Sequence, residues 1–296
     1  MNTQSGFIAV VGRPNVGKST MINAIMGRKV SIVTHKPQTT RHRILAIHND
    51  GDTQMIFIDT PGLHRRAGKA MNRLMNRTAT AALADADVVL FVCDAGVWTD
   101  EDEDVLARLR DVTVPVIVAL NKIDKIHPRE ALFETLTTMQ SRREFAEMIP
   151  MSALKGDNVR ALLDVLPQYL PESPHLFPQD MHTDRSPEFR AAEVVREKLT
   201  EMLHQEIPYG LTVQIEQYRR EEDRYLIHAV IWVERDSQKG IVVGKGGRVL
   251  KTVGQSARLD LKAELGCPVH LELWVKVKDN WSDSEQDLLQ LGYESP

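Results

Sequence analysis

Eight residues near the start of the chain, Gly12-Arg13-Pro14-Asn15-Val16-Gly17-Lys18-Ser19, have the types and spacing of a phosphate cradle, Gly-x-x-x-x-Gly-Lys-Ser/Thr. The apolar run Phe7 to Val11 precedes them and Thr20-Met21-Ile22-Asn23-Ala24-Ile25 follows, so the order is strand, glycine-rich loop, helix. Glycines let successive amides point inward, and a helix starting near Lys18 adds its unpaired N-terminal donors to the same concavity. An anion is the expected ligand. Lys18 reaches the outer phosphates of a nucleotide, and the Ser19 hydroxyl is suited to ligate a magnesium ion bridging phosphate oxygens. Gly12 to Thr20 are therefore candidate nucleotide-binding residues, with Lys18 also a candidate catalytic one. A plain glycine-rich turn is the alternative, and the flanking strand and helix weigh against it.

Three further groups follow in order along the chain. The apolar run Met55 to Ile58 ends in Asp59-Thr60-Pro61-Gly62, followed by Leu63. A carboxylate at the end of a buried strand beside a phosphate loop is placed to position magnesium; the plainer reading of Asp59 is a turn former before proline. Then come Asn121-Lys122-Ile123-Asp124 and Ser152-Ala153. Asp124 can accept two hydrogen bonds from the N1 and N2 edge of guanine, a pair of donors adenine lacks. Lys122 can lay its methylene stem along the base and Asn121 can tie neighbouring loops, while a small residue at Ser152-Ala153 lets a backbone amide approach guanine O6. Each group alone is a weak signal. Their joint order is specific, and the expected ligands are GTP or GDP with Mg2+.

The elements that must hold these groups are readable around them. Two strand-like runs, Arg43 to His48 and Met55 to Ile58, flank the turn Asn49-Asp50-Gly51-Asp52, which has hairpin composition. Residues 64 to 82 are polar and become helical toward Ala84; Asp87 to Asp94 and Val114 to Leu120 read as strands buried on both faces, with a charged helix from Glu101 to Arg110 between them and a further run from Glu147 to Pro150. This alternation predicts a doubly wound α/β domain over residues 1–170, with its ligand beyond the carboxyl ends of the strands. Leu166 to Pro178 holds four prolines and no helical period, so residues 171–185 read as a linker.

Beyond the linker, residues 186–296 predict a second, α+β domain. Glu188 to Glu206 is an amphipathic helix with Val195, Leu199, Met202 and Leu203 on one face; Leu211 to Tyr218 and Arg224 to Arg235 alternate as strands, Lys251 to Leu265 is helical, and Val269 to Val277 is a third strand. Between a short helix and a longer one sits Gly244-Lys245-Gly246-Gly247-Arg248. A Gly-x-x-Gly loop in that position lets a sugar-phosphate backbone approach closely, as in KH domains, and an inter-helix turn is its plain alternative. From Glu234 to Arg258 six basic residues face two acidic ones, in a chain of net charge −4. That local excess is a nucleic-acid footprint, and Gly244, Lys245, Gly246, Gly247, Arg248 and Lys251 are the candidate RNA-binding residues.

Composition excludes several classes. With 26% charged and 42% hydrophobic residues the chain is globular, and its 296 residues exceed one ordinary core. Its longest apolar runs are too short to span a bilayer, and no charged-then-apolar leader is seen before Gly6. Cys93 and Cys267 stand far apart without partner spacing, which speaks against a disulfide or metal framework and fits a reducing, cytoplasmic setting.

Residues 7 to 166 resemble the translation-factor-type small GTPase domain. The forms Gly-Arg-Pro-Asn-Val-Gly-Lys-Ser, Gln-Thr-Thr-Arg-His-Arg (38–43) and Asp-Thr-Pro-Gly, with the type II KH arrangement that follows, are most similar to the bacterial Era-type GTPases, a resemblance that covers nearly the whole chain. It implies that the first switch loop carries a magnesium-binding threonine within Thr39-Thr40, with Thr40 favoured, and that Thr40 and Gly62 act with Lys18 in hydrolysis. It implies a monomer that binds single-stranded RNA near the 3′ end of small-subunit (16S) ribosomal RNA and assists 30S assembly, with peripheral inner-membrane association. An NTPase whose second domain binds protein is the alternative. Two residues depart from the best-known signalling GTPases: Leu63 stands where they place a water-orienting glutamine, and Val16 is apolar. Slow intrinsic turnover, on the order of 10⁻⁴ to 10⁻³ per second, is expected. Asn15 resembles an asparagine that holds K+ in related GTPases; a loop-stabilising amide is the other reading.

Overall fold

The computed structural model describes residues 3–62, 68–128, 130–203 and 207–293. The first half contains β1 (Gln4–Val11), α1 (Lys18–Met26), β2 (Ile44–Asp50), β3 (Thr53–Asp59), α2 (Ala70–Ala84), β4 (Val88–Asp94), α3 (Asp100–Arg108), β5 (Val116–Asn121), α4 (Ala131–Arg142), β6 (Glu147–Pro150) and α5 (Val159–Val165). The strands form one sheet in the order β2-β3-β1-β4-β5-β6. Only β2 runs antiparallel to its neighbour; its register ends with Asp50 opposite Thr53, leaving Gly51 and Asp52 as the turn. Alternate residues of the central strands enter two cores: Ile8, Val10, Phe57 and Leu90 pack with α1 and α5, and Ala9, Val11, Phe91 and Val118 pack with α2, α3 and α4. Covering both faces is what permits such continuous apolar strands. The carboxyl ends of β1, β3, β5 and β6 bring the four motifs to one edge.

The second half contains α6 (Pro187–Met202), β7 (Leu211–Arg220), β8 (Tyr225–Val233), α7 (Asp236–Val243), α8 (Arg248–Leu265), β9 (Val269–Val277) and α9 (Glu285–Gln290). Its sheet has the order β7-β8-β9, the first pair antiparallel and the second parallel. Helices α6 and α8 cover one face through Val195, Leu199, Val253 and Leu261. Ser186 caps α6 by accepting from the Phe189 amide. Two expectations change here. The helix ends at Met202, where Leu203 is already extended, so Met202 is 37% exposed instead of facing the core. And α2 starts at Ala70, well before Ala84.

Residues 171–185, read from their prolines as a linker, lie against the first sheet. Ser5 donates its amide to Pro171 O at 3.3 Å, Ile47 to His182 O at 3.0 Å, and Leu45 to the Asp184 carboxylate at 2.9 Å. The segment thus covers the open edge of β2, an edge that would otherwise present unpaired backbone groups. Gln54, fully buried, fastens it: Oε1 accepts from the Leu176 and Phe177 amides at 2.8 and 2.9 Å, and Nε2 donates to Phe177 O at 2.9 Å.

The two halves also meet across an apolar contact. Met71, Leu74 and Met75 of α2 pack with Trp281, Leu288, Leu291 and Tyr293 from the end of the chain. Nearby, His42 stacks on Tyr293 with ring centroids 4.4 Å apart and meets the Phe189 edge at 5.0 Å. Burial pushes the His42 imidazole down to about 3, so it is neutral in this stack.

Replacing Gln54 by Leu keeps the volume but strands three backbone groups. We expect Gln54→Leu to cost about 2–4 kcal/mol in urea unfolding and to speed proteolysis within 171–185. Unchanged stability would mean that water replaces the amide without loss.

Candidate functional site

The phosphate loop is shaped by what surrounds it. Gly17 has φ +103°, and a Cβ there would stand 2.3 Å from Asn121 Nδ2, so only glycine fits between the loop and the end of β5. Lys18, 6% exposed, points back under the loop and donates to Gly12 O at 2.9 Å and Arg13 O at 3.0 Å. Its burial lowers its pKa to about 8, against the pull of Asp59. Arg13 leans outward to Asp102 at 2.8 Å and to Val97 O, tying the loop to α3. Val16 is fully buried beneath the loop. Pro14, Asn15, Gly17, Lys18, Ser19 and Thr20 line the cavity together with residues 32–34, 38–40 and Gly62.

At the floor of that cavity three oxygen-bearing side chains converge. Ser19 Oγ lies 2.9 Å from Thr40 Oγ1 and 2.9 Å from Asp59 Oδ2. Thr39 points elsewhere, its hydroxyl 2.6 Å from Thr34 Oγ1 and 2.7 Å from Lys36 O. Asp59 is fully buried, and its Oδ1 has no hydrogen-bond partner among the described residues. Burial raises its pKa, while the nearby Ser31 hydroxyl, the Lys18 ammonium and the Ser19 hydroxyl favour the charged form. A buried, unpartnered carboxylate oxygen beside two hydroxyls is a donor set suited to a hard divalent cation such as Mg2+. Thr60 donates to Val10 O at 2.8 Å, fixing the turn after β3. Gly62 lies flat on the loop, where a Cβ would meet Pro14 Cγ at 2.9 Å. Pro61 joins the two, and Leu63 lies outside the described residues.

The candidate base-selecting residues stand at the ends of β5 and β6. Asn121 donates to Val16 O at 2.8 Å and accepts from the Ala153 amide at 2.9 Å, linking three loops. Ser152 donates to Asp124 Oδ1 at 2.6 Å, which orients the carboxylate. Lys122 donates to Asn15 O at 2.7 Å and pairs with Asp94 at 2.9 Å, so its stem crosses toward the loop. Asn15, itself at φ +63°, donates its amide to His35 O at 3.2 Å, reaching the segment that carries Thr40.

In the second half, Gly244 ends α7, and Lys245, Gly246 and Gly247 turn the chain into α8 at Arg248. Gly246 has φ +62° with no atom within 4 Å of the place a Cβ would occupy, so its face is open. Arg235, Lys239, Lys245, Arg248, Lys251 and Arg258 are all exposed. None of them makes an ion pair with a described residue, which leaves their charges available to an anionic polymer.

The residues around Thr40 hold what sequence reading missed. Arg41 and Arg196 are 4% and 1% exposed, and both reach across the two halves. The available signal was on α6, where Glu193 and Arg196 interrupt the apolar face three residues apart.

A phosphate loop with its oxygen-donor floor on a doubly wound sheet, joined to a Gly-x-x-Gly helical turn on a three-stranded sheet, defines a P-loop GTPase carrying a KH domain. Residues 7–122 match the family described as 50S ribosome-binding GTPase and residues 206–282 match the KH domain family. GTPase Era of Pseudomonas fluorescens (strain Pf0-1) is 50% identical over 291 residues, 98% of this chain and 97% of that protein. GTPase Era of Haemophilus influenzae (strain PittGG) is 48% identical, covering 98% of this chain and 97% of its own. A crystal structure of Era in complex with MgGDPNP and nucleotides 1506–1542 of 16S ribosomal RNA is 39% identical and matches with a TM-score of 0.95 over 98% of this chain and 99% of that one. A point variant of Aquifex aeolicus Era bound to GDP·AlF4− matches with a TM-score of 0.94 at 39% identity, again covering 98% and 99%. The chain belongs to the Era family of GTPases, and its chemistry is the hydrolysis of GTP.

Lys18 makes this site sensitive to alkali. A lysine whose pKa is about 8 in the free protein loses its charge as pH rises through 8, whereas bound phosphates favour the protonated form. Nucleotide binding at pH 8.5 should therefore take up about three-quarters of a proton, and affinity should fall above pH 8. Calorimetry in buffers of different ionisation enthalpy measures this; Lys18→Arg should remove the uptake, and Lys18→Ala should abolish turnover.

Proposed function

We propose that the protein is a GTP-driven switch that binds single-stranded RNA near the 3′ end of small-subunit ribosomal RNA and assists assembly of the 30S subunit. The observation that carries this reading is the exposed, unpaired basic surface around an open Gly246, on a domain joined to a magnesium-type GTP site. The complex of a 39% identical Era with nucleotides 1506–1542 of 16S ribosomal RNA supports the choice of RNA. Residues 1–170 serve as the GTPase domain, 171–185 as the connection and 186–296 as the RNA-binding domain.

In the site, Lys18 neutralises the outer phosphates while Gly12 to Thr20 and Thr60 to Gly62 enclose them. Ser19, Thr40 and Asp59 would hold Mg2+, which when bound screens the charge that develops on the phosphate oxygens. Asp124 selects guanine, with Asn121, Lys122, Ser152 and Ala153 shaping its pocket. Gly62 offers a backbone amide beside the outer phosphate, and Leu63 supplies no amide side chain to orient water, so turnover is slow. Asn15 would hold K+, which when bound would supply positive charge beside the phosphates where an arginine finger is lacking. Gly244 to Arg248, with Lys251, grip the RNA backbone. The resemblance further supports a cytoplasmic monomer that associates peripherally with the inner membrane; no helix among the described residues is long and apolar enough to cross one.

Four measurements test these assignments. Asp124→Asn should weaken GTP by orders of magnitude and favour xanthosine triphosphate, because a donor then faces a donor; equal affinity of the parent for ATP and GTP would sink the base assignment. Exchanging sodium for potassium should speed turnover in the parent but not in Asn15→Ala. Gly246→Asp should remove binding of a short single-stranded RNA while GTP affinity is kept, and Lys245→Ala should weaken binding mildly and flatten its salt dependence. RNA affinity should also differ between GTP-like and GDP states. Full-strength RNA binding by Gly246→Asp would refute the KH assignment.

A further inference from the structure

Thr40 is held from both sides by hydrogen bonds that leave its own domain. The carbonyl before it, Thr39 O, accepts from Arg196 of α6. The residue after it, Arg41, donates to Leu211 O and Pro208 O, each at 2.6 Å. Between these anchors Thr40, 8% exposed, directs its hydroxyl to Ser19. The loop around it follows the same helix: the Val33 amide donates to Glu197 at 3.0 Å, and Lys36 donates to Thr200 O and Leu203 O. The nucleotide-facing threonine thus takes its backbone position from the domain that carries the Gly-x-x-Gly loop.

Arg196 is itself immobilised. Glu193, one turn earlier, receives its Nε and NH2 in two parallel bonds of 2.6 Å, a forked geometry that sets the plane of the guanidinium. Both residues are buried, and Arg196 NH1 has no partner among the described residues. A buried ion pair with a stranded donor is a poor way to stabilise a helix interface, since apolar residues of similar volume do as well or better. What the pair accomplishes that Leu and Met could not is the aimed bond to Thr39 O. Helix α6 is in turn fastened to α8, the helix that leaves the Gly-x-x-Gly loop, by Lys198–Asp260 at 2.8 Å, by Arg190–Glu264, and through the shared apolar core.

We propose that Arg196, oriented by Glu193, is a positioning residue for GTP hydrolysis, acting from the RNA-binding domain through the Thr39 carbonyl to hold Thr40 at the metal site. The inference rests on the role given above to Thr40. GDP lacks the outer phosphate that Thr40 serves, so losing this bond affects GTP and its hydrolysis while sparing GDP.

The test uses the full chain. Because breaking a buried pair by one partner unfolds many proteins, the main variant is the double Glu193→Leu, Arg196→Met, which replaces the pair by apolar side chains of similar size; Arg196→Lys and Thr40→Ala accompany it. Single-turnover GTP hydrolysis, the Mg2+ concentration for half-maximal rate, GDP and GDPNP affinities, and the thermal midpoint are measured for each. We expect the double variant to keep its midpoint and its GDP affinity within twofold, to hydrolyse GTP roughly 10- to 100-fold more slowly, and to need several-fold more Mg2+. Arg196→Lys should recover part of the rate, since an ammonium can reach one carbonyl without fixing its plane. A double variant with parental rate and Mg2+ requirement overturns the inference. So does a parallel loss of GDP affinity, GDPNP affinity and thermal midpoint, which would mark the pair as structural only. Thr40→Ala hydrolysing at the parental rate would instead strike the assignment of Thr40, and the inference with it.

Discussion

The contact on which the rest of the molecule depends is the 2.9 Å hydrogen bond between Ser19 and Thr40. Ser19 comes to it at little cost, because α1 starts at Lys18 and the loop before it is wedged between β1 and Asn121. Thr40 comes from an irregular segment between Met26 and Ile44 with no ladder of its own. Ordering such a stretch costs about 1–2 kcal/mol per residue in backbone entropy, so its order has to be supplied from elsewhere. Here α6, the start of β7 and the Asn15 amide supply it. The nucleotide cavity is therefore complete only when both halves of the chain are in place.

Much of the first half could be read directly. Strands buried on two faces are continuous apolar runs, and the runs from Val88 and Val116 show as such without reference to anything distant. The four motifs follow strand ends, so their chemistry and their placement are coded in the same few residues. Choosing between Thr39 and Thr40 was beyond local pattern; it took the neighbouring Ser19 and Asp59 side chains to distinguish them.

What escaped the sequence was short or distant. Helix α4 buries only Met139 among its twelve residues, and α5 and α9 have seven and six, too few turns for an apolar period to emerge. The contact between halves is built from Arg41, His42, Glu193, Arg196 and Tyr293, which a linear reading scores as a basic loop, two helix charges and a tail. The hydrogen bonds that Arg41 and Arg196 send across it span 157 to 252 residues. Charge on an otherwise apolar helix face was the one local hint, and it marked the contact now seen at Thr39.

The covered edge of β2 has a consequence for how the protein is made. Gln54 Oε1 finds its partners 122 and 123 residues later, at Leu176 and Phe177; Ser5 in the first strand meets Pro171, and Thr3 just before it meets Ser173. A chain emerging from its N-terminus at roughly 5–20 residues per second has formed every strand of the first sheet well before these residues appear. During that interval the β2 edge is open and Gln54 keeps only its Nε2 bond to Asn49, its Oε1 lacking the two amides it later accepts from. The final stage of folding in the first half is then the laying down of 171–185, and α6 follows directly from Pro187. Synthesis thus delivers α6, the helix that holds Thr39 O, directly after the segment that closes the sheet, and the Arg41 anchors at Pro208 and Leu211 follow it.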